Sequence, residues 1–441
     1  MSSRNMLFAS ALVCLAVVVA FVPAGEVNAA NVMVTNCNDS GSGSLRRSVA
    51  EAASGDTIDM SALPCREIDL TSGAIEITQH DLSLLGGPPG LMKVDAGHAS
   101  SVLRHSGTGL LRIKRMNIAN GSYSSSIESY GGCIYSAGRI ELLVSNVYGC
   151  RVKGAYPEFA AGGGIYAVGP VRLVHSRVAA NRAVYGFGGG IVTHAGVRIN
   201  HSRVSGNRAL FIGGVVSGAM TALYSTFANN DGGAIYAESG DLVIANSTFS
   251  GNTDKGNSTY SVIHWTADPG FGASIIDSTV SGNAAFEGEI VSLVGAGPKS
   301  IINTTIAFNQ LSGSCNNASA TVRVGGGTTL LDSTIASNNS CDGVPQSSVA
   351  GTDYPETSVL TGANNLVTAP AGLSLPPDTI FSDPLLAPLA DNGGPTKTHM
   401  LPADSPAIDM GNNEAGLQYD QRGPGFPRVN GTSADIGAFE R

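Results

Sequence analysis

Residues 225–230 read S-T-F-A-N-N, and residues 247–252 read S-T-F-S-G-N. The same phrase returns as S-R-V-A-A-N ending at Asn181, S-R-V-S-G-N at Asn207, S-T-V-S-G-N at Asn283, T-T-I-A-F-N at Asn309 and S-T-I-A-S-N at Asn338, with two degenerate copies ending at Gly121 and Cys150. The nine closing positions are separated by 29, 31, 26, 23, 22, 31, 26 and 29 residues, a period near 27. Three residues before each close stands one apolar column: Ile118, Val147, Val178, Val204, Phe227, Phe249, Val280, Ile306 and Ile335. β-Branched and aromatic residues suit a stacked, inward strand position. The closing Asn tolerates the left-handed backbone of a sharp bend, and its amide pairs with copies above and below, so an Asn ladder at a coil corner is expected.

A second phrase alternates with the first: G-G-C-I-Y-S at Gly131, G-G-G-I-Y-A at Gly162, G-G-G-I-V-T at Gly188 and G-G-A-I-Y-A at Gly232. Each repeat therefore holds at least two short strands, in a span too short for strand-helix-strand units. Propeller blades need longer repeats, about 40 residues or more. The sequence predicts an all-β chain: a right-handed, single-stranded parallel β-helix of about nine recognisable coils, stacked about 4.8 Å apart. With 57 Gly but only 1 Trp, 13 Phe and 12 Tyr in 441 residues, tight turns are plentiful and large aromatic platforms are expected to be largely absent.

Solenoid ends expose strand edges and need covers. Ser44 to Ala53 reads as a short amphipathic helix with Leu45 and Val49 on one face, and residues 350–441 lose the period and become rich in Pro and Gly, a tail that wraps the last coils. The expected organisation is a leader over 1–29, an N-terminal cap and first coils over 30–110, β-helix repeats over 111–349, and a C-terminal capping domain over 350–441. The leader has Arg4, an apolar run from Met6 to Val22 and a small-residue cleavage site before Ala30, the layout of a secretory signal. The run is marginal for a membrane span, and the bulky Val13 before Cys14 argues against lipidation. Six cysteines remain, Cys37, Cys65, Cys133, Cys150, Cys315 and Cys341, an even number that fits an oxidising compartment. Of the fifteen pairings, Cys315 with Cys341 is favoured because 26 residues is about one coil; buried free thiols are the other reading.

Several stretches resemble known families. G-G-A-I at 232–235 beside F-A-N-N at 227–230 is similar to the repeats of chlamydial polymorphic outer-membrane proteins, which are β-helical surface adhesins. G-S-L-R-R-S-V-A from Gly43 resembles the cap of bacterial surface proteins with a C-S-L-R-E-A motif, departing from it at Gly43 and Arg47. The tail, from D-P-L-L-A-P-L-A-D-N-G-G-P-T at Asp383 through D-Q-R-G at 420–423 to A-D-I-G-A-F-E at 434–440, resembles the choice-of-anchor Q domain of secreted bacterial β-helix proteins. These resemblances imply a secreted or surface-associated protein, and because no sorting tail follows, release or non-covalent attachment is expected.

The same fold class hosts polysaccharide lyases and hydrolases, so the residues must decide. Arg112-Ile113-Lys114 echoes a polygalacturonase motif, but no D-D and no H-G accompanies it, so the match reads as coincidence. Asp231, Asp254 and Asp277 fall on successive coils, yet solvated turn aspartates are the better reading, and Asp383, Asp409, Asp420 and Asp435 read as turn caps. No catalytic residue, metal site or cofactor is expected. His175 and His201 share a repeat position with Asn246, Asp277 and Asn303, which reads as a polar column at a bend, the alternative being a pH-sensing or metal-binding imidazole pair.

Charge is polarised. Residues 104–208 carry 13 Lys or Arg against three acids, Glu128, Glu141 and Glu158, a net of +10, so the remainder of the −9 chain carries −19. Arg172 and Arg198, Arg177 and Arg203, and Arg182 and Arg208 share repeat positions and should stack in pairs. These six arginines with His175 and His201 are the candidate ligand-binding residues, facing an anionic polysaccharide or cell-surface glycan; the plain alternative is a basic end that aids solubility. Nucleic acid is not expected without stacking aromatics on those coils. The reading is a monomeric, exported, adhesive or matrix-binding protein, with a divergent uronate lyase or glycoside hydrolase as the alternative.

Overall fold

A computed structural model describes residues 29–87, 91–154, 159–254, 261–313, 320–352, 358–370 and 372–441. The leader, apart from Ala29, lies outside the described residues, as do Cys14, Glu158 and Cys315. Parallel strands stack into three long sheets. In each coil the chain passes through a first sheet of 11 strands, a second of 13 and a third of 12, then a short lateral ladder before returning to the first. The result is a right-handed parallel β-helix of about 11 turns, about 28 residues per turn. The nine repeats read from sequence and the earlier coils expected beneath the cap account for these turns.

Inward apolar columns from all three sheets fill the interior, two of them from the second sheet. In the third sheet Ile118, Val147, Val178, Val204, Phe227, Phe249, Val280 and Ile306 stack in register and are fully buried. The column's expected last member is corrected by one residue. Ile306 pairs with Ala336, while Ile335 pairs with Thr305 and turns outward onto the tail, where it packs with Leu366, Leu401, Ile436 and Phe439. A one-residue shift sends a strand's side chains to opposite faces, and two consecutive asparagines at 338 and 339 make the shift invisible in the repeat.

The ladder after the third sheet is therefore Asn181, Asn207, Asn230, Asn252, Asn283, Asn309 and Asn339, not Asn338. Each Oδ1 from Asn207 onward accepts the backbone N–H and the Nδ2 of the asparagine one coil below, at 2.9 to 3.1 Å. The left-handed backbone also sits one residue earlier than expected, at Ala180, Gly206, Asn229, Gly251, Gly282, Phe308 and Asn338. At the opposite end of the third sheet a second ladder runs through Ser145, Ser176, Ser202, Ser225, Ser247 and Ser278, each hydroxyl from Ser176 onward accepting the backbone N–H of the preceding serine. The left-handed residues just before Ser176, Ser202, Ser225, Ser247 and Ser278, and before Thr304 one coil on, are His175, His201, Tyr224, Asn246, Asp277 and Asn303, the polar bend read from sequence, while Val144 holds the same place before Ser145. At the Gly-Gly corner, Gly162 has φ 68°, and a Cβ on Gly163 would lie 2.4 Å from the Gly189 carbonyl oxygen, so only glycine lets successive coils close there.

The N-terminal cap is a helix, Leu45–Glu51, with Ser44 accepting from the Arg47 N–H, and Leu45 and Val49 enter the core. Disulfides join Cys37 to Cys65 and Cys133 to Cys150, with Cα atoms 6.3 and 5.4 Å apart. Cys341 is also held in a disulfide. The one-coil spacing used for Cys315 and Cys341 applies equally to Cys37 and Cys65, 28 apart. Among the described residues no helix is long and apolar enough to cross a membrane.

The register makes a paired prediction. Asn339→Ala strips the acceptor from the Asn309 amide and should lower stability to urea by about 2–3 kcal/mol, whereas Asn338→Gly, replacing a residue at φ 56°, should be neutral or mildly stabilising. The reverse order of the two urea midpoints would mean that Asn338 carries the ladder.

Candidate functional site

The tail determines which surface stays open. It lies on the outward column of the third sheet, where sequence places Thr248, Thr279 and Thr305. Gln421 takes a hydrogen bond from the Thr279 hydroxyl at 2.6 Å and donates to the hydroxyls of Thr248 and Thr396, both at 2.9 Å. Thr248 donates to the Lys397 carbonyl at 2.6 Å, and the Ala438 N–H donates to Thr305 Oγ1 at 3.0 Å. The D-Q-R-G and A-D-I-G-A-F-E stretches are thus docking elements. Asp383, Asp409, Asp420 and Asp435 each accept backbone N–H groups within the tail, as turn caps do.

Asp277 departs from the solvated aspartate expected and from any grouping with Asp231 and Asp254. It is buried at the docking surface, 3.3 Å from the fully buried Arg428, which also meets Glu440 at 3.1 Å. Burial, with the Asp420 and Glu440 carboxyls nearby, outweighs the attraction of Arg428 and pushes Asp277 up to about 8. Asp231 instead forms an ion pair with Arg208 at 3.2 Å on the lateral ladder.

The six candidate arginines stack in the expected pairs, but on three different faces. Arg172 and Arg198 lie on the second sheet, Arg177 and Arg203 on the third, and Arg182 and Arg208 on the lateral ladder. In two of these columns an acid directly adjoins an arginine. Glu141 sits between Arg112 and Arg172 and forms an ion pair with both; burial works to raise its carboxyl, but the two guanidinium hydrogen bonds outweigh burial and hold it below the usual range. The lateral column runs Arg151, Arg182, Arg208, Asp231, and its acid forms an ion pair with Arg208. The third-sheet column runs Glu67, Lys93, Asn117, Asn146, Arg177, Arg203, Thr226, and its acid lies four rows from Arg177, paired with Lys93 at 2.7 Å. Arg177 and Arg203 are exposed and make no ion pair among the described residues.

Beside that arginine pair the bend column supplies a ring stack. His175 and His201 have centroids 5.1 Å apart, and Tyr224 stacks on His201 at 4.9 Å. Burial first, and His175 second, lower His201 below the usual imidazole value, while burial and then Asp277 raise the Tyr224 phenol. The tail tip closes the end of this strip. One cleft of about 380 Å³ is lined by Asn146, both histidines, both arginines, Tyr224, Thr226 and Pro395. A second of about 560 Å³ shares Arg203, Thr226 and Pro395, then passes Asn229, Ser250, Asp391 and Lys397. Asp391 is the only carboxylate among the described residues lining either.

Tyr224 was missed in the sequence because a tyrosine among His, Asn and Asp hides the shared bend position. The expectation of few aromatic platforms also fails locally. Tyr130, Tyr166 and Tyr135 stack with centroids 4.4 and 5.9 Å apart, Arg104 lies over Tyr123 and Tyr135, and Phe187 stacks on Phe211 at 4.5 Å. The period aligns these rings, although their total number is small. Among the described residues no three His, Cys, Asp or Glu side chains converge as a metal site would require.

No protein-family model matches the sequence, and no curated protein matches it. Among solved structures, the chain is similar to pectate lyase Pel9A, at 13% identity and a TM-score of 0.41, over 94% of this chain and 98% of that one. It is also similar to the DFA-IIIase from Arthrobacter chlorophenolicus A6 in complex with GF2, at 11% identity and a TM-score of 0.26, over 80% and 85% of the two chains.

Docking of the tail should depend on pH through Asp277. Its folded value, about 8, lies above the ordinary 3.8, so its contribution is fully present below about pH 4 and is lost as pH rises through about 8. Asp277→Asn should flatten the fall in calorimetric melting temperature across that window. Parallel losses in both proteins would assign the dependence to another group.

Proposed function

We propose that this is an exported β-helix protein that binds an anionic polysaccharide or cell-surface glycan at the Arg177–Arg203 cleft, without chemical change, as an adhesive or matrix-binding module. The observation that carries this reading is the stacked arginine pair with no acid in the adjoining rows, in a cleft whose other walls are imidazole, phenol, amide and hydroxyl groups and Pro395. Cations held about 4.8 Å apart on a rigid sheet suit a ligand with repeated carboxylates or sulfates, and the neighbouring rings offer flat faces and donors to a sugar. Arg172, Arg182, Arg198 and Arg208 add to the basic band around the same coils. The disulfides and the sequence of the leader support an extracellular setting. The choice-of-anchor Q resemblance of the tail supports a surface-associated life.

The alternative, a divergent uronate lyase or glycoside hydrolase, draws on His201 beside Tyr224, groups able to take and deliver a proton. Hydrolysis is the weaker half of that alternative, because it ordinarily uses two opposed carboxylates and these clefts offer Asp391 alone.

Binding to immobilised polygalacturonate, alginate and heparin tests the reading. Arg177→Gln with Arg203→Gln should weaken binding about tenfold and reduce its salt dependence, while Arg172→Gln, at a guanidinium already paired with Glu141, should change it less than about twofold. Unchanged binding in the double variant would overturn the proposal, and release of new reducing ends or unsaturated uronate products by the wild-type protein would favour the enzyme.

A further inference from the structure

The outward column of the third sheet changes from bare to covered within one coil. Arg177 and Arg203 stand exposed, Thr226 borders both clefts, and from Thr248 onward the tail occupies the column. The boundary is the tail tip. Thr396 donates to the Asn246 carbonyl at 3.0 Å, and Pro395 lines both clefts beside Thr226.

The direction of a bound chain follows from where the charge lies. Along the helix axis, successive outward residues repeat about every 4.8 Å, so a polyanion laid that way meets Arg203, Arg177, Asn146 and Asn117 over about 14 Å. Laid along a strand instead, it would pass from Arg203 toward the buried Ser205 and lose the second cation. A chain following the axis toward the C-terminus meets Pro395 end-on. Passing the tip on one side is obstructed by Gly423, where even an added Cβ would lie 3.2 Å from the Tyr224 ring. On the other side the cleft carries Asp391 as well as Lys397, so the excess of positive charge ends there.

We infer that the cleft is a chain-end site: it takes the terminus of an anionic saccharide chain, the terminal ring against Thr226 and Pro395 and the following rings over Arg203 and Arg177. This rests on the anionic-glycan reading and adds which part of the polymer is recognised. The C-terminal tail is then a specificity element as well as a cover.

The test uses the wild-type protein and sodium polygalacturonate cut by controlled hydrolysis into fractions of decreasing mean length. Saturation binding at low salt is compared at constant uronate mass. End recognition makes the protein bound per gram rise in proportion to the number of chains, so that halving the mean length doubles it. An amount per gram that stays constant or falls on shortening would overturn chain-end recognition while leaving glycan binding intact. Absence of binding to every fraction and to the uncut polymer would instead sink the underlying reading, and the inference with it.

Discussion

Each asparagine amide has two hydrogens to donate and two lone pairs to fill, and the buried corner ladder uses all four. Asn207 donates to Asn230 and to the Val178 carbonyl, and accepts twice from Asn181. Inside a protein, where an unmet polar group costs about 1–3 kcal/mol, only one register satisfies every member. The ladder thereby fixes each coil against the next. Its sequence steps range from 22 residues, Asn230 to Asn252, to 31, Asn252 to Asn283, yet the hydrogen-bond geometry is unchanged. Coils of unequal length are therefore aligned at this corner and expel their surplus elsewhere.

A fixed register turns sequence into surface. Whatever residue occupies the first outward position of the third sheet forms a column along the molecule, from arginine through threonine to Ile335 and Leu366. Two large aliphatic side chains facing out would leave an apolar strip, and the tail covers it with Leu401, Ile436 and Phe439. The threonine rows between serve as hydrogen-bonding ground for Gln421 and the Ala438 backbone. Because the cover stops between Thr248 and Thr226, one row short of the arginines, one column defines both the docking surface and the open cleft.

The repeat phrase made the sheets, the inward column and the capping helix legible, since β-branched spacing and a Ser-capped amphipathic turn are local signals. Register within Asn338-Asn339 was not legible, because both residues satisfy the pattern and only Ile335 packing against the tail decides between them. The arginine pairs were legible as pairs. Their distribution over three faces was not, because 172, 177 and 182 are only five residues apart and the corners between them change direction. Asp277 was misread for a related reason. Its bend position is solvated at His201 but buried at Asp277, and the difference is made by Arg428, 151 residues away.

The bare arginine pair is a property of this sequence and not of the fold. Like charges one strand spacing apart repel by about 1 kcal/mol even in water, and more near a protein surface. The chain relieves that repulsion twice, placing Glu141 between Arg112 and Arg172 and Asp231 after Arg208. At Arg177 and Arg203 the neighbouring rows offer asparagine and threonine, although a single Asn146→Glu or Thr226→Glu change would supply the missing acid. Leaving the pair unmatched has a standing electrostatic cost that a bound polyanion removes. That cost falls beside the end of the tail, where Pro395 shares both clefts with Arg203, and this coincidence separates the third-sheet cleft from the rest of the basic band.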